Sequence, residues 1–440
     1  MKTNTAGANR WLIAIMGTLL QVCLGTVYAW SFFQKPLVTA FNWSNTQAAW
    51  AFSLAIFFLG FAAAWGGMYL PKYGPRKLAM IGAALYGSGW LLGGIALSQH
   101  NLVLLYLGYG VIGGIGLGLG YVTPVATVAK WFPDKKGFVT GMVVMGFGFG
   151  ALVLSKIIAP ILVAAFGMTG PGLIKMFYAV GVILLVCGVV AGLFLRNPPE
   201  GFVPEGYTPP AAPEPSTTQK AAGQGAGLSV GDCLMSPRFA LMWLIFFCNI
   251  TAGIMFIGFQ SPMLQDLLKI RSPEMTTEAL AAAGATLIAI SSLFNGVGRF
   301  FWGGLSDRIG RIQAFRLILG SQIFVFIALL FTKQPIIFGI LVCYVLLCYG
   351  GGFGSMPSFV LDVFGAKLMP VVYGTILTAW SFAGIAGPQL VAIIKDMFAA
   401  SPEKVPTYTF CIGAGLLVVG FVLSLMLNNK KFEKGGITAQ

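Results

Sequence analysis

The chain has 440 residues, 57% hydrophobic and 9% charged, with a net charge of +14 at pH 7. A soluble domain carries about 25% charged residues, so this composition excludes a soluble globular protein and points to one embedded in lipid. Its Lys and Arg residues fall in short clusters beside apolar runs, the pattern of the positive-inside rule, which argues against a nucleic-acid partner.

Runs of about 20 apolar residues, each enough to cross a bilayer as a helix, recur along the chain. They lack the alternation of a barrel strand, so the expected fold class is an all-α membrane protein. The opening MKTNTAGANR leads into an apolar run too long for a signal peptide and without a small-residue cleavage site. It is read as an uncleaved first span. Twelve spans are predicted, at 11–33, 46–69, 77–97, 102–131, 137–166, 172–195, 239–264, 278–305, 312–332, 335–360, 371–394 and 407–427. The Pro-, Gly-, Ala- and Ser-rich stretch between the sixth and seventh reads as a flexible linker. The expected domains are a first six-helix bundle at 1–195, a linker at 196–237 and a second six-helix bundle with a tail at 238–440.

An even number of spans puts both termini on one side. Lys72, Arg76, Lys77, Lys130, Lys135, Lys136, Arg308, Arg311, Lys430, Lys431 and Lys434 fall on that side, which is therefore expected to be the cytoplasm, in a cell (inner) membrane. The seven cysteines form no CxxC pair and the single histidine is His100, so no metal site and no cofactor is expected.

The halves repeat. Gly67 and Gly74 after span 2 have the same spacing as Gly303 and Gly310 after span 8. Gln21, Gly25 and Tyr28 in span 1 are echoed by Asn249, Gly253 and Phe256 in span 7, Pro124 by Pro357, and Gly141 by Gly374. Two parallel six-helix repeats predict a pseudo-two-fold carrier with its site between the halves near the midplane.

GGLSDRIGR at 303–311 resembles the loop signature of the major facilitator superfamily, matching at Gly303, Leu305, Asp307, Arg308, Gly310 and Arg311. The resemblance implies a cytoplasmic latch built on Gly303, Asp307, Arg308, Gly310 and Arg311. The first-half copy has Pro71 where the acid belongs. GTVYAWSFFQKP, YVTPVATVAKWFPDKKG, GFGFG, NGVGRFFWGGLSDRIGR and GGFGSMPSFVLDVFG resemble the oxalate/formate antiporter family within that superfamily. That likeness implies a small-carboxylate carrier. It implies an anion-binding arginine in span 8, here Arg299, and a lysine in span 11, where this chain has Trp380. It also implies an aromatic cage of Tyr28, Tyr121, Phe147, Tyr349 and Phe353. With one cation of the two, a monocarboxylate is expected rather than a dicarboxylate.

The chemistry of single residues points the same way. Ser292, Asn295, Gly296, Trp302 and Gly303 share the helical face of Arg299, while Ile290, Leu293, Phe294, Val297 and Phe301 lie opposite. Arg299 is therefore read as facing a polar interior, where its planar fork matches a carboxylate. The alternative is a snorkelling arginine, since Asp307 lies only about 12 Å further along the helix. Lys156 in span 5 has apolar neighbours and is read as snorkelling toward the outer surface, with a pathway role as its alternative. Tyr28 and Tyr121 are read as lining the site rather than merely packing; for Trp380, lumen and space-filling readings stay open. The glycines between Gly108 and Gly120 predict close helix packing, not a phosphate loop.

All thirteen acidic residues fall in loops, the linker or span ends. A carboxylate relaying protons at the midplane is thus disfavoured, as is a membrane enzyme, which needs an acid/base pair or a metal cluster there. The expected function is alternating-access transport of a small organic anion as a monomer, by exchange or proton-linked symport. A non-transporting carboxylate sensor on the same fold is the competing class.

Overall fold

The computed structural model describes residues 9–199, 201–204, 229–365 and 368–427. Most of the predicted linker, at 205–228, and the tail cations Lys430, Lys431 and Lys434 lie outside the described residues. Twelve helices are long and apolar enough to cross a membrane. They are α1 (Arg10–Phe41), α2 (Asn45–Tyr73), α3 (Pro75–Ser98), α4 (Leu102–Trp131), α5 (Phe138–Phe166) and α6 (Gly170–Leu193) in the first half. The second half has α7 (Pro237–Arg271), α8 (Thr277–Ile309), α9 (Arg311–Phe331), α10 (Pro335–Phe364), α11 (Val371–Met397) and α12 (Pro402–Leu425).

Local sequence sets the ends. Asn9, Asn101, Ser236 and Thr276 accept hydrogen bonds from the first free backbone N–H groups of α1, α4, α7 and α8. Ser44 and Gln47 form a capping box at the start of α2. At the α8–α9 corner the backbone of Gly310 has φ +91°, and at the matching α2–α3 corner Gly74 has φ +76°. Both lie where a side chain would be strained, which explains the repeated glycine.

Two spans are longer than the apolar runs predict. α1 continues to Phe41 and α7 to Arg271, past the expected ends at 33 and 264. The polar residues that look like span ends find partners. Gln34 accepts from Trp30 Nε1 at 2.8 Å and donates to the Asn45 carbonyl at 3.0 Å, and Lys35 pairs with Asp266 at 2.9 Å.

The halves pack alike. In the first, α1 lies on α5, α2 on α4 and α3 on α6; in the second, α7 lies on α11, α8 on α10 and α9 on α12. Across the interface α2 meets α11 and α5 meets α8, again a symmetric pair. The glycines of α4 serve this packing: a side chain on Gly114 or Gly118 would collide with the α2 backbone. At the crossing of α5 and α8, a Cβ on Gly148 would lie 2.9 Å from the Gly296 Cα, so the two backbones touch.

Several helices carry irregular turns, and two of these adjoin buried aromatic side chains, Tyr28 and Trp380. α1 tightens into a 3₁₀ turn at Thr26–Ala29, and α11 is broken at Leu377, between Met369–Ile376 and Thr378–Met397. Such irregular turns are tolerated in a membrane only where protein or a cavity surrounds them, and both are buried.

Candidate functional site

The partition of α8 is as its sequence predicts. Ser292, Asn295, Arg299 and Trp302 are buried, while Ile290, Leu293, Phe294, Val297 and Phe301 are exposed on the outer face. Arg299 is the only charged side chain among the buried described residues. It reaches the half interface rather than snorkelling outward. Its Nη1 donates to the Tyr121 hydroxyl at 3.3 Å, and its guanidinium carbon sits 5.1 Å from the centre of the Phe353 ring. Those contacts leave Nε and Nη2 buried without a hydrogen-bond partner.

The predicted aromatics converge on this charge from both halves. Tyr28 from the tight turn of α1 hydrogen-bonds Tyr349 of α10, oxygen to oxygen, at 2.6 Å. Tyr28 and Tyr121 each meet the Phe147 ring edge-on at 5.1 Å. Trp380, just past the break in α11, lies 4.7 Å from Phe353 and 5.4 Å from Tyr121. Trp380 thus packs against the rings that surround Arg299 and is fully buried. Arg299, Tyr28, Tyr121, Phe147, Tyr349, Phe353 and Trp380 are each at most 5% exposed, so the site is closed from both ends.

A pair of buried amides sets the two tyrosine-bearing helices, one in each half. Gln21 donates to the Tyr121 carbonyl at 2.8 Å; Asn249, its echo, donates to the Cys348 carbonyl at 3.4 Å, one residue before Tyr349. The internal repeat is thus a repeat of support as well as of sequence.

Burying one guanidinium in a low-dielectric site costs several kcal/mol unless it is paired. A cation–π contact returns about 0.5–2 kcal/mol and a tyrosine hydroxyl roughly as much. A planar anion offering two oxygens to Nε and Nη2 would complete the pairing. Chemically, the arrangement can hold one small carboxylate, with apolar ring faces around its remainder.

One turn from Arg299, Asn295 borders a small cavity shared with Tyr28, Gln260, Ser291 and Ser292 and walled by Ala151, Ile257, Ile288 and Leu346. Ser291 donates to Gln260 Oε1 at 2.7 Å, and Asn295 Oδ1 has no partner. Gln260 and Ser291 are polar residues inside apolar runs, a signal that could have marked them.

The residues of the predicted latch come together in part. Arg311 pairs with Asp307 at 2.5 Å and with Asp362 at 3.0 Å, tying α9 to α8 and α10. Gly310 makes the turn between α8 and α9, and a Cβ added at Gly303 would lie 3.5 Å from the Gly354 carbonyl oxygen, an ordinary contact. Arg308 is exposed and is in none of the ion pairs of the described residues. In the first half, where Pro71 replaces the acid, Asp134 pairs instead with Arg10 at 2.7 Å. Lys156 is exposed as expected, but it also donates to Thr286 of α8 at 2.6 Å across the interface.

At the end opposite the termini lies a charge cluster that the apolar pattern does not predict. Asp266 of α7 meets Lys35 of α1 at 2.9 Å and Lys395 of α11 at 2.5 Å. Asp396 accepts hydrogen bonds from the Asn45 and Thr46 backbones at the start of α2, at 2.9 and 2.8 Å.

A family model described as Major Facilitator Superfamily matches residues 11–388. The chain is similar to the oxalate:formate antiporter of Oxalobacter formigenes, 26% identical over 394 residues that span 89% of this chain and 86% of that one. It is also similar to apicoplast pyruvate carrier 1 of Toxoplasma gondii, 27% identical over an alignment covering 85% of this chain and 82% of the carrier. Among solved structures, a bacterial homologue of the human lysosomal transporter Spinster, inward-facing and unoccupied, superposes with a TM-score of 0.65. It is 15% identical and covers 95% of this chain and 96% of that one.

Proposed function

The chain belongs to the Major Facilitator Superfamily, a multi-pass membrane transporter, and we propose that it carries small monocarboxylates by alternating access. The observation that carries this reading is Arg299: a buried guanidinium with two unpartnered N–H groups, ringed by aromatics from both halves. A charge so placed is stabilised by an anion and is reached from either side as the halves rock. The relatives named for oxalate, formate and pyruvate support the substrate class. In this reading residues 1–195 and 238–440 rock as units, both termini face the cytoplasm, and the driving force is anion exchange or proton-linked symport. The same reading makes the protein a carrier and not an enzyme.

An oxalate-type dicarboxylate exchanger is the runner-up. It is disfavoured because a second carboxylate would meet Trp380, a neutral buried ring, where the resemblance expects a lysine. The test is uptake of labelled formate, lactate, pyruvate and oxalate into proteoliposomes. The wild type is expected to take up monocarboxylates and Arg299→Ala to lose uptake while remaining monodisperse. Normal uptake by Arg299→Ala would overturn the proposal, and ligand-induced stabilisation without flux would identify a sensor instead.

A further inference from the structure

We propose that Asn295, Gln260 and Ser291 form a subsite that reads an oxygen on the carbon next to the carboxylate. The favoured substrates are then 2-hydroxy and 2-oxo monocarboxylates. The inference rests on the reading of Arg299 as the carboxylate clamp.

Asn295 lies on the face of α8 that bears Arg299, about 6 Å from it along the axis, and Ser291 lies about 12 Å along and about 80° round the helix. Tyr28 of the aromatic cage also lines the cavity they border. Its polar groups are not mutually satisfied. Ser291 engages Gln260 Oε1 at 2.7 Å, which commits the carbonyl of that amide and leaves its NH₂ as the free donor. Asn295, 1% exposed, has a buried Oδ1 with no partner. An unmade hydrogen bond at a buried amide is costly, so these groups favour a ligand atom that fills them. An amide oxygen accepts from a substrate hydroxyl, and an amide nitrogen donates to a substrate carbonyl, so both oxidation levels fit. Ile257, Ile288 and Leu346 wall the rest of the cavity. Formate has no atom to place there. A second carboxylate would be an anion beside an unpaired amide oxygen, with no second buried cation among the described residues.

The experiment compares lactate with propionate, which differ by one hydroxyl, as kcat/KM for proteoliposome uptake. The wild type is expected to favour lactate by roughly tenfold or more, since a site built to bond an oxygen leaves its groups unpaired with the deoxy analogue. Gln260→Leu and Asn295→Leu should bring the ratio toward one, and Ser291→Ala, which only releases Gln260, should lower it partway. Equal efficiencies in the wild type overturn the inference without any variant, as does an unchanged ratio in both leucine variants. Should the wild type carry no monocarboxylate, or Arg299→Ala carry both normally, the clamp reading itself fails and this inference with it. A preserved clamp with a flat ratio removes the subsite alone.

Discussion

Lys35 and Asp266 form a 2.9 Å ion pair between α1 and α7, fastening one half of the molecule to the other at the end opposite the termini. Near the termini the ion pairs run differently. Arg10–Asp134 stays within the first half, and the Arg311 pairs with Asp307 and Asp362 stay within the second. Among the described residues, ionic fastening of the halves is thus confined to one end.

Loosening that fastener should favour opening there. Lys35 and Asp266 side chains are 39% and 43% exposed, so the pair is worth about 0–1 kcal/mol. Asp266→Asn also frees Lys395, and the population with that end open is expected to rise by a few-fold. Spin labels at Asn42, in the α1–α2 connection, and at Glu403, at the start of α12, should report a longer distance component. An unchanged distribution would show that the pair is incidental.

Trp380 stands where a second clamp would be. Trp380→Lys is expected to bring a thermal stabilisation by oxalate that the wild type lacks, because a cation would then face Arg299 across the cage. It should also weaken the fold, since a buried ring contributes about 3–5 kcal/mol against truncation. A thermal-shift screen of mono- and dicarboxylates reads both effects, and absence of any oxalate response would sink the idea of a missing clamp.

Gly148 faces Gly296 with 2.9 Å between its would-be Cβ and the opposing Cα. Gly148→Val must push α5 from α8 and disturb the hydrogen bond from Ser292 to the Gly148 carbonyl. Uptake is expected to fall at least tenfold with expression and α-helix content maintained. Wild-type rates in this variant would mean the crossing has room to spare.

Asp134 lies in the connection after α4. Burial pushes its carboxyl up, but the hydrogen bond and charge of Arg10 outweigh this and hold it below the usual carboxylate value. A depressed folded-state pKa contributes stability that is fully present above the unfolded value, about 4, and lost as pH falls through the folded one. Asp134→Asn should therefore lower the melting temperature slightly at pH 6–7. The difference should begin to shrink as pH falls through about 4 and vanish below the depressed folded-state pKa. A difference that persisted in acid would assign the effect to packing on Phe132 instead of charge.

Much of this was legible in the sequence because lipid imposes simple rules. Length and polarity placed twelve spans, and helical periodicity put Arg299 on the buried face with Asn295 and Trp302. The cage was legible only through resemblance, since Tyr28, Tyr121, Tyr349 and Trp380 come from four helices and no periodicity links them. The far-end cluster was missed for a physical reason. Lys35, Asp266 and Lys395 each terminate an apolar run, and a charge there reads as the edge of the bilayer. Their partners are 231 and 129 residues away, so only the fold reveals that the charges are paired and the helices go on. Gln260 and Ser291 were passed over because isolated polar residues are common in packed spans and become informative only once a shared cavity is seen.

The interruptions of α1 and α11 have a mechanical meaning. Beyond the tight turn holding Tyr28, the outer arm Trp30–Phe41 ends in the segment that bears Lys35; the arm Thr378–Met397 starts beside Trp380 and carries Lys395 near its tip. Each arm is a lever with a cage ring at its root and a charged grip along its length, about 10 Å from the ring in the shorter arm and about 22 Å in the longer one. Swinging either tip turns the ring at its root, so what the cage contains and whether the far mouth is shut are felt at opposite ends of the same rigid rods.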